Sequence, residues 1–342
     1  MGFHNAIVKC SFFWYDTIME RRDTMVSTDR TKEQIIFLKP EFRQMVWGGD
    51  RLGREWHYEI PGSNTGECWG VSAHPSGDCR VREGLYEGEL LSELWKKHPE
   101  LFGNTGLDRF PLLVKIIDAK ADLSIQVHPD DAYANANENG SLGKTECWYI
   151  LACDEDARLV IGHNAKDKAE LSDMIREGRW KELIRETPVK KGDFILIEPG
   201  TIHAIKGGIM VMETQQSSDI TYRVYDYDRV VNGRLRELHI DKSIDVITAP
   251  AGRTEENILN ADELPENTMN LLCSCESFKV WKMDVTETLA FDQAYPFLIM
   301  SVIEGEGEIN GRPICKGDHF ILSDGFGAVT LRGKMQLIAS TI

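Results

Sequence analysis

From Ile35 onward, short apolar runs alternate with polar breaks far more often than apolar residues recur at helical spacing. Phe110–Ile117, Leu123–Val127, Cys147–Leu151, Arg158–Ile161, Asp193–Ile197 and Ile209–Glu213 are rich in β-branched and aromatic residues. Gly, Pro, Asn and Asp bound them, which predicts strands divided by turns. Ile36–Pro40 predicts a short edge strand stopped by its proline, and Val46-Trp47-Gly48-Gly49 a tight turn. Two stretches have helical periodicity instead. Glu87–Leu101 places Leu90, Leu91, Leu94 and Trp95 on one side, and Lys166–Arg185 does the same with Leu171, Ile175, Leu183 and Ile184. The expected fold is all-β with helical insertions, a β-sandwich or jelly roll.

The pattern also divides the chain. Residues 31–250 read as one strand-rich domain. Residues 251–270 read as a linker, from Ala251-Gly252 through a polar stretch. Residues 271–342 form a smaller β unit with strands Phe278–Val285, Phe297–Ile303, Gly307–Ile309, Pro313–Cys315, His319–Leu322 and Met335–Ala339, and with Asn310-Gly311 as a hairpin turn. Residues 1–30 stand apart. Lys9 and the apolar Cys10–Tyr15 faintly resemble a secretion signal, but Asp16 and Glu20 interrupt it and no small-residue cleavage site follows. We read them as an extension outside the fold, with Met25 as an alternative first residue.

Composition changes this picture little. The chain has 342 residues, 42% hydrophobic and 27% charged, as in water-soluble globular proteins. No apolar run approaches the ~18 residues of a membrane-crossing helix. A net charge of −16 argues against a nucleic-acid partner, which needs a basic face, yet leaves room for a small anion held by a few local cations. Nothing specifies an oligomeric state. Eight cysteines without disulfide-scaffold density imply free thiols and a cytoplasmic protein. Cys273-Ser274-Cys275 has no second pair at zinc-finger spacing.

Three segments carry candidate chemistry. In Leu123–Pro129 the strand period puts Ser124, Gln126 and His128 on one face and Leu123, Ile125 and Val127 on the other. In Gly143–Tyr149, Lys144 and Glu146 alternate in the same way. Lys191–Ile205 reads as a strand, a Pro199-Gly200 turn, and then His203 opening a further strand. Two imidazoles, a carboxylate and an amide oxygen suit a divalent metal, and zinc accepts both N and O donors. A single strand histidine is ordinarily a hydrogen-bonded structural residue; the combination on polar faces of apolar strands is what points to a metal.

Gly192-Asp193, Pro199-Gly200 and His203 look like the second motif of the cupins. Joined to Ser124–Pro129, Gly143–Tyr149, Glu198–Ile205 and Asp219–Arg229, they resemble the type I mannose-6-phosphate isomerases in their short bacterial form. The resemblance runs from about Phe37 to the C-terminus. It implies two cupin domains, the second degenerate and metal-free because it has no His-x-His or Pro-Gly-x-x-His. It implies one zinc ion per chain held by Gln126, His128, Glu146 and His203. It places the family's active-site lysine on Lys144 and its arginine on Arg223, with Ser124 lining the substrate pocket. The implied reaction interconverts mannose 6-phosphate and fructose 6-phosphate through an enediol(ate), so the implied partner is a sugar phosphate.

The base for that reaction stays open among Lys144, a zinc-bound water and Glu213, which could equally support a ligand from behind. Trp47, Trp69 and Trp148 are read as core residues rather than sugar platforms. His57, His74, His163, His239 and His319 have no matching partners. Tyr222, Tyr225, Tyr227, Asp226, Asp228 and Arg229 have two readings, a support for Arg223 or a salt-bridged surface strand. The rival functions are another metal-dependent cupin enzyme, either an iron oxygenase or an isomerase of a different phosphosugar, and a non-enzymatic sugar-binding cupin.

Overall fold

A strand covered on both faces need not alternate apolar and polar residues, and that is the position of the central sheet here. The computed structural model describes residues 34–231, 233–252 and 258–342; the expected extension over residues 1–30 lies outside them. Among these residues one antiparallel sheet runs in the order Leu259–Asn260, Asp193–Ile197, Glu146–Ala152, Ile209–Gln216, Leu112–Ala119, Glu41–Gly49 and Thr65–Val71. Every residue of Leu112–Ala119 is buried, including Lys115 and Asp118.

Alternate side chains of this sheet enter two different cores. Val114, Ile116, Cys147, Tyr149 and Met212 pack outward against Phe278, Val280, Phe297, Ile299 and Ile321 of the C-terminal sheet, together with Leu91, Leu94 and Trp95. Ile117, Trp148, Ile150, Ile195 and Val211 point inward against Leu159, Ile161 and Ile205. The last three belong to or adjoin a five-stranded sheet: Ile184–Pro188, Arg158–His163, His203–Ala204, Ile125–Val127 and Tyr222–Tyr225. The far side of that sheet is covered by helices Lys168–Arg176, Trp180–Leu183 and Ile240–Val246. The layers are therefore helices, five strands, seven strands, then the C-terminal sheet. The expected all-β architecture with helical insertions is what the chain adopts.

Two pairings cross the boundaries that composition suggests. Ile35–Lys39 opens the chain's described part, yet pairs with His319–Leu322 of the C-terminal sheet, Phe37 opposite Phe320. Leu259–Asn260, within the expected linker, adds to the catalytic side by pairing with Asp193-Phe194.

Several elements differ from expectation for local reasons. Val46–Gly49 is not a tight turn but the end of the nine-residue strand Glu41–Gly49. Gln44 and Gly49 both register on Thr65, so the extra residues bulge out, and Gly48 lies so close to Asn64 and Gly66 that a Cβ would come within 2.5 Å of their backbone. Lys166–Arg185 is not one helix. Asp167 caps Lys168–Arg176 by accepting from Glu170 N, Gly178 turns the chain at φ 68°, and Trp180–Leu183 follows. Glu87–Leu101 shortens to Leu91–Lys97 followed by a 3₁₀ turn at Pro99–Phe102. The expected strands Phe297–Ile303 and Gly307–Ile309 are one, Leu298–Ile309, whose hairpin turn has both Asn310 and Gly311 at positive φ.

Phe37 has no exposed surface and packs in the C-terminal core, away from the metal-binding side chains described below. Phe37→Ala is expected to cost about 3–5 kcal/mol of stability. Denaturant unfolding should show this loss, with kcat at 25 °C retained; an unchanged midpoint would mean the strand is not integral to the C-terminal sheet.

Candidate active site

The inner faces of the two facing sheets carry two cross-strand rows of polar residues. On the five-stranded sheet, Gln126 lies between His203 and Arg223 in register. On the seven-stranded sheet, Trp148, Glu213, Lys115 and Trp69 lie opposite one another on successive strands. Glu146 and Gln215 pair one step along the same face as Trp148 and Glu213. Between the rows is a cavity of about 110 Å³ lined by residues including Trp47, Glu67, Lys115, Ser124, Gln126, Lys144, Glu213, Arg223 and Arg236.

Next to Gln126 and Lys144 of this lining, His128, Glu146 and His203 come together, with one ligand atom from each within 4.8 Å of the others; among the described residues this is the one such group. His128 Nδ1 is 2.8 Å from Ile220 O and His203 Nδ1 is 2.9 Å from Thr201 O. A carbonyl can only accept, so each Nδ1 carries the proton and each Nε2 presents a lone pair. Burial, reinforced by the Lys144 ammonium, pushes His128 down to about 3. Burial likewise lowers His203, so both rings are neutral near pH 7.

Those lone pairs face a carboxylate. Glu146 Oε2 is 3.4 Å from His128 Nε2, and Oε1 is 3.3 Å from His203 Nε2. Both oxygens are buried without a well-directed hydrogen bond. Burial alone would raise the Glu146 carboxyl; the Lys144 ammonium beside it is the main opposing charge, and the group lies well below its usual range. Lys144 Nζ is 2.7 Å from Glu146 Oε2 and 3.1 Å from His128 Nε2. Lys144 makes its closest contact with Oε2; on the Oε1 side, acceptor faces acceptor. The donor set therefore fits a divalent metal that takes N and O ligands, zinc among them. The Gln126 amide group ends 3.2 Å from His203 Nε2 and 3.5 Å from His128 Nε2, and a half-turn of the amide brings Oε1 to that point.

Four residues expected as ligands thus lie together, with Lys144 against them. Ser124 and Arg223 line the same cavity. Arg223 Nη1 donates to Glu237 O, and its backbone N donates to His239 Nδ1. Asp226 holds the neighbouring Arg236 and Arg229 instead, while Tyr225 stacks on Trp180 at 4.6 Å. The tyrosine-rich segment thus does not hold Arg223 directly, and the 237–239 loop does. Of the expected core tryptophans, Trp47 and Trp148 are buried in the inner core and also line the cavity. Trp148 Nε1 donates to Glu213 Oε1 at 3.0 Å. His74, His163 and His319, outside the cluster, each bond other groups. His319 bonds Ser301 and Tyr58, His163 bonds Thr248 O, and His74 lies 3.6 Å from Asp219.

Sequence reasoning passed over Lys115, Glu67 and Arg236. Lys115 Nζ lies 3.3 Å from Glu213 Oε2 and 3.8 Å from Glu67 Oε2. Burial would lower its pKa, but Glu67 and Glu213 raise it, so it is charged. Burial, then the nearby Glu146 charge, raises the Glu213 carboxyl. The available signal was a lysine inside an otherwise apolar strand. Arg236 carries no such signal, since its position beside Arg223 depends on the loop's return.

Comparison with known proteins agrees with this geometry. Residues 35–152 match the model of the phosphomannose isomerase type I catalytic domain, and residues 267–342 that of the mannose-6-phosphate isomerase cupin domain. The mannose-6-phosphate isomerase ManA of Bacillus subtilis is 49% identical over 310 residues, covering 89% of this chain and 98% of that protein. The mannose-6-phosphate isomerase of Streptococcus mutans is 46% identical over 89% of this chain and 97% of its own length. A crystal structure of the mannose 6-phosphate isomerase from Bacillus subtilis superposes with a TM-score of 0.84 and 44% identity, covering 91% of this chain and all of that one. The chain belongs to the type I phosphomannose isomerase family, enzymes of the cupin fold that interconvert mannose 6-phosphate and fructose 6-phosphate.

Proposed function

We propose that the chain is a zinc-dependent aldose–ketose isomerase that works through an enediol(ate), with Gln126, His128, Glu146 and His203 holding one zinc ion. The observation that carries this reading is Glu146 Oε1, buried without a hydrogen bond 3.3 Å from His203 Nε2, an orphaned acceptor that a cation would satisfy. A bound zinc ion would polarise the sugar oxygens at C1 and C2 and stabilise their developing negative charge.

The remaining work falls to side chains on the cavity wall. Isomerisation removes the proton from C2 of the open-chain aldose, returns one to C1, and shifts the O2 hydroxyl proton to O1. Glu213 suits the carbon proton transfer. It is the buried carboxylate that lines the cavity, its pKa is raised, Trp148 bonds one of its oxygens and Lys115 lies 3.3 Å from the other. Lys144 places a cation against the same wall for the oxyanion. Arg223 and Arg236 suit the phosphate. Both line the cavity, and burial together with the second guanidinium lowers the Arg223 pKa, a strain that an anion relieves. Ser124 adds a hydroxyl to the cavity lining. The described cysteines are free thiols, and among the described residues no helix is long and apolar enough to cross a membrane, in keeping with the proposed cytoplasmic setting.

Three outcomes test this. His203→Ala should lose zinc, read by elemental analysis, and isomerase turnover should fall with it; activity that survives complete metal removal would sink the metal's role. Glu213→Gln should retain zinc and lower kcat by about 10²–10⁴, the usual contribution of a general base. Near-normal kcat in that variant would return the role to Lys144 or a bound water. Arg223→Ala and Arg236→Ala should raise KM about ten- to a hundredfold, the ~1.5–3 kcal/mol of a hydrogen bond to a charged group. A fall in kcat at constant KM would instead place those cations at the reacting carbons.

A further inference from the structure

The Lys144 ammonium is fixed against Glu146 and His128, yet the segment that carries it, residues 141–145, has no regular secondary structure. What holds the segment is a closed relay of side chains. Gln216 Oε1 accepts from Thr145 N at 2.8 Å. Gln216 Nε2 donates to both oxygens of Asp131, at 3.1 and 3.2 Å. Asp131 Oδ1 accepts from Gly143 N at 2.7 Å. The backbone N–H groups on either side of Lys144 are therefore both secured by one Gln–Asp pair, and the N–H of Lys144 itself is taken by Pro129 O at 3.0 Å. Gln216 N donates to Thr145 O at 3.0 Å, so the glutamine grips Thr145 from both its backbone and its side chain. Gly143 is required here, since a Cβ would lie 2.4 Å from Asp130 C and 2.5 Å from Asp131 N.

The two partners differ in what they can supply. Gln216 is buried, whereas Asp131 is exposed and opens the helix Asp131–Asn137. Only an amide both accepts from Thr145 and donates to Asp131; a carboxylate at 216 would set like charges together. Lys144 has a long, flexible stem, and a loop released on both sides of it would let the ammonium leave a site where a misplacement of about 1 Å can cost ~10²-fold in rate.

We infer that Gln216 and Asp131 are positioning residues for the isomerisation, acting through Lys144 by clamping the backbone on both sides of it. This rests on the proposed role of Lys144 in the reaction.

A double-substitution cycle on kcat, with zinc content and melting temperature measured alongside, tests it. Gln216→Ala should lower kcat by about ten- to a hundredfold with zinc retained, and should add nothing further in a Lys144→Ala background. Gln216→Glu should fall at least as far. Combining it with Asp131→Asn exchanges donor and acceptor, rebuilds the relay and should restore most of the lost kcat. If Gln216→Ala does not fold, the exposed Asp131→Ala, compared with Asp131→Asn in the same two backgrounds, gives the same reading. Equal losses with and without Lys144, or an undiminished kcat in Gln216→Ala beside an impaired Lys144→Ala, would overturn the positioning role alone. Normal kcat in Lys144→Ala would overturn both that role and the reading of Lys144 beneath it.

Discussion

A carboxylate with no exposure to water, Glu146, is the constraint around which the catalytic half is organised. Burying an ionised group without compensation costs several kcal/mol, so the surroundings must supply positive charge or a metal. Here they supply one ammonium, from Lys144, on one side, and two imidazoles whose protons are turned away toward backbone carbonyls. The imidazoles give Glu146 lone pairs rather than protons. That choice weakens the apo protein at this point and makes it receptive to a cation. Because the rings are locked by Ile220 and Thr201, the cost is met by the fold and not by rearrangement on binding.

The layered sheets make such an arrangement possible. The seven-stranded sheet is sealed on its outer face by the C-terminal sheet and on its inner face by the five-stranded one. The sheet is largely buried between them, and its inner face can hold a row of charged groups whose mutual attraction is strengthened by that burial. The alternation Lys115, Glu213 and Glu67 across three strands uses that setting: each charge has an opposite neighbour, so the row is stable without a ligand and remains polar where a sugar would lie. The C-terminal unit has no metal-binding group among the described residues. Its contribution is the outer seal, together with the strand pairing it offers to Ile35–Lys39.

The two ends of the cavity differ in how they are built. The histidine end is set by strands and by the carbonyls of Ile220 and Thr201. The arginine end is set by the segment 223–239, where Arg223 is held by Glu237 O and His239 and Arg236 by Asp226. Arg223, on a strand of the five-stranded sheet, and Arg236, in the segment that follows it, can bind an anion, while the neutral histidines sit beside Glu146.

Alternation along Leu123–Pro129 was enough to put Ser124, Gln126 and His128 on one face, and the structure has them there because the period of a strand is local geometry. The free φ of Asn310 and Gly311 likewise made their hairpin readable in advance. Residues 46–49 were misread because the same glycines that mark a turn also mark a bulge where two backbones touch, and only the partner strand Thr65–Val71 distinguishes the two. Lys115 was overlooked because its counter-charges, Glu67 and Glu213, come from strands far off in sequence. The helix expected over 166–185 broke at Gly178, where a strand had to begin at Ile184 to cover the sheet edge. The sequence by itself determined which residues face together within a strand and which turns are allowed, since both follow from backbone geometry over a few residues. Only the tertiary structure decided which strands are neighbours, which lysine meets which carboxylate, and that Gln216 and Asp131 close around Lys144, because register between distant segments is set by burying two sheet faces at once.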